Sequence, residues 1–174
     1  DAALDGAPGR RRLAAAVADA PAMNSRRHAT PSGRRTGAAG YATRAVVLVL
    51  DSGGRGGGDD AEWVERWFPV PVVAALEGEV SGGAAALALA ADIRVAGEGA
   101  WLELPEPGSA RAAAIQRGAH GRISAGEAFA RGIVSALTGP GEAVAEAARL
   151  AAVIAGRGPI ATRLGKEAVW RGLS

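Results

Sequence analysis

The chain has 174 residues and a formal net charge of +2; hydrophobic residues make up 48% of it, but aromatic residues only 4%. One domain with its own core is the expectation for this length. The absence of cysteine excludes disulfides, thiolate catalysis and cysteine-ligated metals, and two histidines, His28 and His120, without metal-binding spacing argue against a zinc site. No apolar run approaches the ~18 residues of a membrane span and no signal peptide is visible, so we predict a soluble cytoplasmic protein without a membrane partner.

Positive charge is concentrated at the amino end. Residues 1–44 contain eight arginines and three aspartates, so they carry +5 and the remainder of the chain −3. The arginines form either a phosphate-binding surface or a solvated, partly disordered arm. No aromatic residue lies between them, so we favour the arm and predict no nucleic-acid partner. Within this loose segment, residues 1–43, the apolar side of residues 11–20 predicts one short helix.

The next stretch begins with the clearest strand of the chain. Residues 44–50 (RAVVLVL) form a continuous apolar run of the kind that is buried on both faces of a sheet. A glycine-rich loop follows over residues 51–59. Residues 60–68 then predict a helix with Trp63 and Trp67 on one side, where packing is a better explanation for the two indoles than ligand stacking.

Residues 71–106 combine several signals in order. An apolar run over 71–76 predicts a strand, residues 78–83 a glycine-bearing turn, residues 84–91 a helix, and residues 92–95 a second strand. Gly82 and Gly83 open the helix, where backbone N–H groups lack partners and the helix dipole favours an oxyanion. A tight turn in which the glycines only accommodate positive φ explains the local pattern equally well.

The whole stretch resembles the signature of the crotonase (enoyl-CoA hydratase/isomerase) superfamily. The matching elements are PVVAALEG at residues 71–78, the Gly82-Gly83 pair, LALA at 87–90, DIR at 92–94 and LPE at 104–106. Similar matches follow at SAGEA (residues 124–128), where Ser124 and Glu127 form a capping box, at GIV (residues 132–134), and at KEA (residues 166–168). The resemblance covers roughly residues 44–173, without the family's first strands and with an abbreviated segment near residues 107–120.

The resemblance implies an α/β fold of the crotonase (ClpP/crotonase) type, a spiral of β-β-α repeats with C-terminal helices. We therefore divide the chain into the loose segment 1–43, a crotonase-like core over residues 44–138 and a C-terminal helical region over residues 139–174. In that last region, residues 141–155 predict an amphipathic helix with Val144, Ala148, Ala151 and Ile154 aligned, and residues 160–172 predict the final helix. Family members form trimers or dimers of trimers, so a homo-trimer or hexamer is expected.

The resemblance also implies a site and a substrate class. Family enzymes act on acyl-CoA thioesters in fatty acid metabolism, with no cofactor beyond the coenzyme A of the substrate. The oxyanion hole maps to the backbone N–H groups of Gly56 and Gly83, and further substrate contacts map to Gly57, Gly82 and Ala86.

The acid/base residues distinguish two reactions within the family. Hydratases use two glutamates, one three residues after the second oxyanion glycine and the other in the Pro-Glu motif. The second maps to Glu106, whereas the first maps to Ala86, which cannot activate water. A single glutamate is similar to the pattern of the Δ3,Δ2-enoyl-CoA isomerases, so we predict an isomerase-like enzyme. The alternative is a non-catalytic homologue that binds acyl-CoA or a partner protein.

Overall fold

A computed structural model describes residues 14–19, 43–51, 70–107 and 110–172 of the chain. Within these ranges there are eight strands: β1 (Ala14–Asp19), β2 (Thr43–Leu50), β3 (Val72–Leu76), β4 (Glu79–Val80), β5 (Ile93–Gly97), β6 (Trp101–Leu104), β7 (Gly121–Ser124) and β8 (Ala136–Thr138). The helices of the same ranges are α1 (Gly82–Ala90), α2 (Ala110–Gln116), α3 (Ala125–Ala130), α4 (Ala143–Ala155) and α5 (Pro159–Gly172). None of these helices is long and apolar enough to cross a membrane.

The larger sheet contains five strands in the order β1-β2-β3-β5-β8. The four strands from β2 to β8 are parallel, and β1 pairs antiparallel with β2 at one end. The predicted burial of β2 on both faces is confirmed, because Val46, Leu48 and Leu50 enter one core while Ala45 and Val47 enter another. Such two-sided burial is typical of parallel sheets with a layer on each face.

The two cores lie on opposite faces of this sheet. One contains α1, β6 and α3 together with the inward side chains of β2 and β3. The other lies under α4, whose alanines pack on β2, β3 and β5. Alanine lets α4 approach the sheet closely, so a chain with few aromatic residues still builds a second layer.

A smaller sheet carries the segment that follows β3. Its order is β4-β6-β7, with β4 parallel and β7 antiparallel to β6. In β6, Trp101 and Glu103 are exposed while Leu102 and Leu104 are buried, the alternation expected when one face of a sheet is packed. Helix α1 packs against β6, so the smaller sheet and the Gly82-Gly83 turn are neighbours.

The predicted helix over residues 11–20 is wrong for the part that the structure describes. Residues 14–19 form β1, which pairs along β2 with a register shift between Val17 and Asp19. Alanine favours helices intrinsically, but pairing supplies main-chain hydrogen bonds to an otherwise open sheet edge. Tertiary pairing therefore overrides local propensity here. The predicted helix over residues 60–68, with its two tryptophans, lies outside the described residues.

The predicted face of the amphipathic helix is also rotated. Helix α4 buries Ala143, Ala147, Ala151 and Ala155, spaced four residues apart. Of the residues predicted to align, Ala151 is buried and Ile154 half-buried, whereas Val144 and Ala148 are exposed. The prediction assigned the large apolar side chains to the buried face. Close packing on the sheet instead places alanines there, because they are the smallest apolar side chains.

Other helix boundaries agree with the sequence. The Ser124 hydroxyl accepts a hydrogen bond from the Glu127 N–H (3.2 Å), as the capping motif predicts, although the Glu127 carboxylate pairs with Arg131 at 2.8 Å. Gly132, with φ of +72°, ends the turn after α3. The final helix is confirmed as α5.

Arg94 joins α1 to the sheet. Its guanidinium is 6% exposed and donates hydrogen bonds to the carbonyls of Ala88 (3.3 Å) and Ala91 (2.7 Å) at the end of α1, and to the carbonyl of Ile133. The last carbonyls of a helix lack intrahelical partners, so Arg94 acts as the C-terminal cap of α1. The arginine of the Asp-hydrophobic-Arg motif therefore has a structural role.

Candidate active site

Helix α1 begins with the glycine pair Gly82-Gly83. Gly82 has φ of +54°, which L side chains rarely adopt, and an added Cβ there would meet no atom within 4 Å. The Ser81 carbonyl accepts the N–H groups of Ala84 (3.1 Å) and Ala85 (3.4 Å), and the Ser81 side chain makes no capping hydrogen bond. Within the described residues, the N–H groups of Gly82 and Gly83 donate no hydrogen bond. The positive φ of Gly82 confirms the need for glycine in this turn, whereas anion binding by the two N–H groups stays a prediction.

Topology brings Glu106 to the same end of the smaller sheet. Strands β4 and β6 are parallel, with Val80 opposite Leu102. Gly82 follows Val80 by two residues and Glu106 follows Leu102 by four, so both come after the carboxyl ends of neighbouring strands, which lie roughly 4.8 Å apart. Glu106 is exposed. The carboxylate and the glycine turn thus share one edge, as enzyme sites on parallel strands commonly do.

Gln116 holds the backbone immediately before Glu106. Its Nε2 donates a 2.7 Å hydrogen bond to the Pro105 carbonyl, and the side chain is 1% exposed. Within the part of the chain that the structure describes, its buried Oε1 accepts no hydrogen bond. A buried acceptor that stays unpaired is unfavourable by about 1–3 kcal/mol. No local pattern predicts this contact, because the two residues belong to different elements.

The other predicted site residues differ in what the structure says of them. Ala86 lies on α1, one turn after Gly82 and Gly83, and is half-buried. Gly56 and Gly57 follow β2 in the sequence and lie outside the described residues. The first half of the predicted oxyanion hole therefore stays a prediction.

Glu77 carries out a structural task near this edge. Its Oε1 accepts the Ala143 N–H (2.9 Å) and its Oε2 the Gly141 N–H (3.3 Å), so a residue after β3 caps the start of α4. The residue at the cap position of α4, Glu142, makes no such hydrogen bond. An ideal Cβ on Gly97 would lie 2.5 Å from the Glu77 Oε2, which explains the glycine there.

We expect Glu77→Gln to lower the free energy of unfolding by about 1 kcal/mol, because the amide loses the charge at the helix start and one acceptor oxygen. This corresponds to a Tm roughly 2–4 °C lower for a chain of this size. Thermal unfolding measures it, with Glu98→Gln, an exposed glutamate after β5, as the matched control. Equal Tm values for the two variants would show that Glu77 does not cap α4.

Neither metal nor imidazole chemistry is indicated within the described residues. No group of three or more His, Asp or Glu side chains there is arranged to hold a metal ion. The exposed His120 ring has its Nδ1 3.3 Å from the Gly118 carbonyl in the turn after α2. The pKa of the Glu146 carboxyl on α4 is lowered and that of Arg149 raised, because Arg149 donates two 2.7 Å hydrogen bonds to it, far along the chain from this edge.

Similar proteins were found by sequence. The chain is 39% identical over 127 residues to the Bacillus subtilis protein named "Putative enoyl-CoA hydratase/isomerase YngF", a match that covers 61% of this chain and 47% of that protein. It is 36% identical over 126 residues to the human "Enoyl-CoA hydratase domain-containing protein 2, mitochondrial", covering 60% of this chain and 43% of that protein. The chain thus spans about half the length of the curated relatives it matches. No family model matches the sequence.

Solved structures give the same result. The crystal structure of the enoyl-CoA hydratase from Bacillus anthracis superposes with a TM-score of 0.58 at 34% identity, covering 67% of this chain and 51% of that one. The Geobacillus kaustophilus "Enoyl-CoA Hydrates Subunit I" gives a TM-score of 0.59 at 29% identity and covers the same shares. The α/β fold predicted from the sequence is confirmed by these neighbours.

Proposed function

We propose, because curated relatives and solved structures consistently indicate the enoyl-CoA hydratase/isomerase (crotonase) superfamily, that this chain processes acyl-CoA thioesters. The observation that carries the proposal is a common position: Glu106 and the N–H groups of Gly82 and Gly83, which donate no hydrogen bond within the described residues, follow neighbouring parallel strands at one sheet edge. In the proposed complex the thioester oxygen accepts hydrogen bonds from the N–H groups of Gly83 and Gly56. Gly57, Gly82 and Ala86 would line the acyl group.

The proposed chemistry is movement of a proton on the acyl chain. Glu106 removes a proton from C2 of a 3-enoyl thioester, and the electron pair shifts to form a dienolate with its charge on the thioester oxygen. Return of the proton at C4 leaves the double bond between C2 and C3. One oxyanion-hole donor typically stabilises such a transition state by about 2.7–4 kcal/mol, so the Gly83 N–H is expected to contribute strongly.

Hydration is the disfavoured reaction. Addition of water needs a group to hold and activate it, and a general acid/base of that kind contributes about 10²–10⁴-fold. The methyl group of Ala86 on α1 supplies no such function. We therefore propose isomerase-like rather than efficient hydratase activity.

A second candidate is a homologue that binds acyl-CoA or a partner protein without turnover. Ala86 favours this second candidate, because a hydratase homologue that has lost its activity would also lack the glutamate expected at position 86. Two apolar side chains of α5, Leu164 and Val169, are 53% and 61% exposed and are consistent with a subunit contact. We propose that the chain assembles through such contacts into a homo-trimer or hexamer. We also propose that it is located in the cytoplasm.

The test offers a 3-enoyl-CoA and a 2-enoyl-CoA thioester side by side to the purified chain, with products resolved by mass spectrometry. Isomerisation of the 3-enoyl substrate with little hydration of the 2-enoyl one supports the proposal. Efficient hydration would show that another group replaces the missing glutamate. Binding of both thioesters without any turnover would favour the second candidate.

A further inference from the structure

A small pocket lies at the end of the larger sheet opposite to the candidate active site. It is formed where β2 and β3 begin and where α4 passes into α5, and has a volume of about 250 Å³. Its lining consists of Arg44, Val70, Pro71, Ile154, Arg157, Pro159, Ile160, Thr162 and Arg163. The glycine turn follows the carboxyl end of β4, and Glu106 follows that of β6, both in the smaller sheet. Neither contributes to this pocket.

The charge of the pocket is one-sided. Arg44, Arg157 and Arg163 carry guanidinium groups. No lining residue of the pocket carries a carboxylate. Within the described residues these three arginines form no ion pair with Asp or Glu, whereas Arg131, Arg149 and Arg171 each do. The Arg44 Nη1 makes one long contact, 3.4 Å, with the Ala155 carbonyl. Like charges gathered around a concave surface repel one another, and an anion between them would relieve that repulsion.

The walls between the arginines are apolar. Val70, Pro71, Ile154 and Ile160 supply aliphatic surface, and Ile160 is 67% exposed. Pockets for drug-sized ligands usually measure about 300–1,000 Å³, so this one fits a smaller molecule. Guanidinium groups prefer the planar or tetrahedral oxygens of carboxylate and phosphate.

We propose that this pocket binds a small amphiphilic anion, a carboxylate or phosphate monoester carrying a short alkyl chain. The guanidinium groups bind the oxygens, and the aliphatic walls take up the chain. The ligand holds β2, β3 and the α4–α5 junction together from the side away from Glu106. This inference does not rest on the proposed enzymatic function.

The experiment titrates the full chain with hexanoate, hexyl phosphate, inorganic phosphate and 1-hexanol by isothermal titration calorimetry. We expect saturable binding of hexanoate or hexyl phosphate, weakened by added salt. Inorganic phosphate and hexanol are expected to bind at least about tenfold more weakly, since each lacks one half of the recognised chemistry. Hexanoate and hexyl phosphate together distinguish a carboxylate site from a phosphate site.

Variants of exposed arginines decide whether binding occurs in this pocket. Arg157→Gln and Arg163→Gln should each weaken binding by about tenfold. Arg171→Gln, on the same helix as Arg163 but outside the pocket, should leave it unchanged, and thermal unfolding confirms that all three variants fold. The proposal is overturned if neither amphiphilic anion binds saturably, if inorganic phosphate binds as tightly, or if the pocket variants bind like Arg171→Gln.

Discussion

Asp92→Ala is expected to destabilise the attachment of the C-terminal helix by about 2–3 kcal/mol, between the usual effects for surface pairs and for fully buried pairs, because the ion pair it removes is partly buried. The Asp92 Oδ2 accepts hydrogen bonds from the Val72 N–H (2.9 Å) and forms a 2.8 Å ion pair with Lys166, while Oδ1 accepts from the Trp170 indole (3.2 Å). The Lys166 side chain is 8% exposed and that of Asp92 18%, so alanine at position 92 removes a partly buried counter-charge from the Lys166 ammonium.

The effect should concentrate on α5, because that helix buries no residue of its own. Lys166 also donates to the Val70 carbonyl (2.9 Å), so this cluster connects α5 to the start of β3. We expect faster proteolysis within residues 157–172 and a lower urea midpoint in Asp92→Ala. Glu167→Ala, which removes only an exposed pair with Arg171 on α5, should change stability by no more than about 0.5 kcal/mol.

A double variant distinguishes the loss of the Asp92 contacts from the effect of leaving the Lys166 charge without Asp92. Asp92→Leu combined with Lys166→Met removes both charges, and apolar replacement of buried pairs is often neutral or stabilising. The double variant should therefore be more stable than Asp92→Ala. If Asp92→Ala digests like the wild type, the cluster does not anchor α5.

Glu106→Gln should lower isomerase turnover by about 10²–10⁴-fold, the usual contribution of a positioned general acid/base. The amide cannot accept a proton from C2, yet it keeps the size of the side chain. Because Glu106 is exposed, the free energy of unfolding should change by less than about 0.5 kcal/mol, so a loss of turnover reflects chemistry.

The matched control is Glu103→Gln. Glu103 is an exposed glutamate on β6, opposite Arg122 in the strand pairing, and no acid/base role is assigned to it. Its turnover should stay within about twofold of the wild type, well below the general acid/base range. Equal losses in the two variants would attribute the effect to the charge of this edge rather than to Glu106.

The core of the fold follows directly from local sequence patterns. The continuous apolar runs of β2 and β3 predict strands that are buried on both faces. Gly82 permits the positive φ at which α1 begins. The Ser124 cap is equally local, since donor and acceptor lie three residues apart. Such features are predictable because the residues that decide them are neighbours in the chain.

Features that depend on distant residues were not predictable from pattern. The pairing that makes residues 14–19 a strand requires β2, and the sheet under α4 selects alanine rather than valine for its buried face. Asp92 and Lys166 belong to separate family-like motifs that lie 74 positions apart. Neither motif indicates that the two residues form an ion pair. For the same reason, the sequence identified Glu106 through its motif but not the Gln116 contact that fixes the preceding carbonyl.

Deuterium transfer between C2 and C4 of the substrate shows whether one carboxylate moves one proton. A 3-enoyl-CoA labelled with deuterium at C2 is incubated with the chain, and the position of the label in the 2-enoyl product is read by mass spectrometry. If Glu106 carries the proton, part of the label appears at C4 with the wild type and none is transferred by Glu106→Gln. Undiminished transfer by Glu106→Gln, or a hydrated product as the main outcome, would contradict the single-glutamate mechanism.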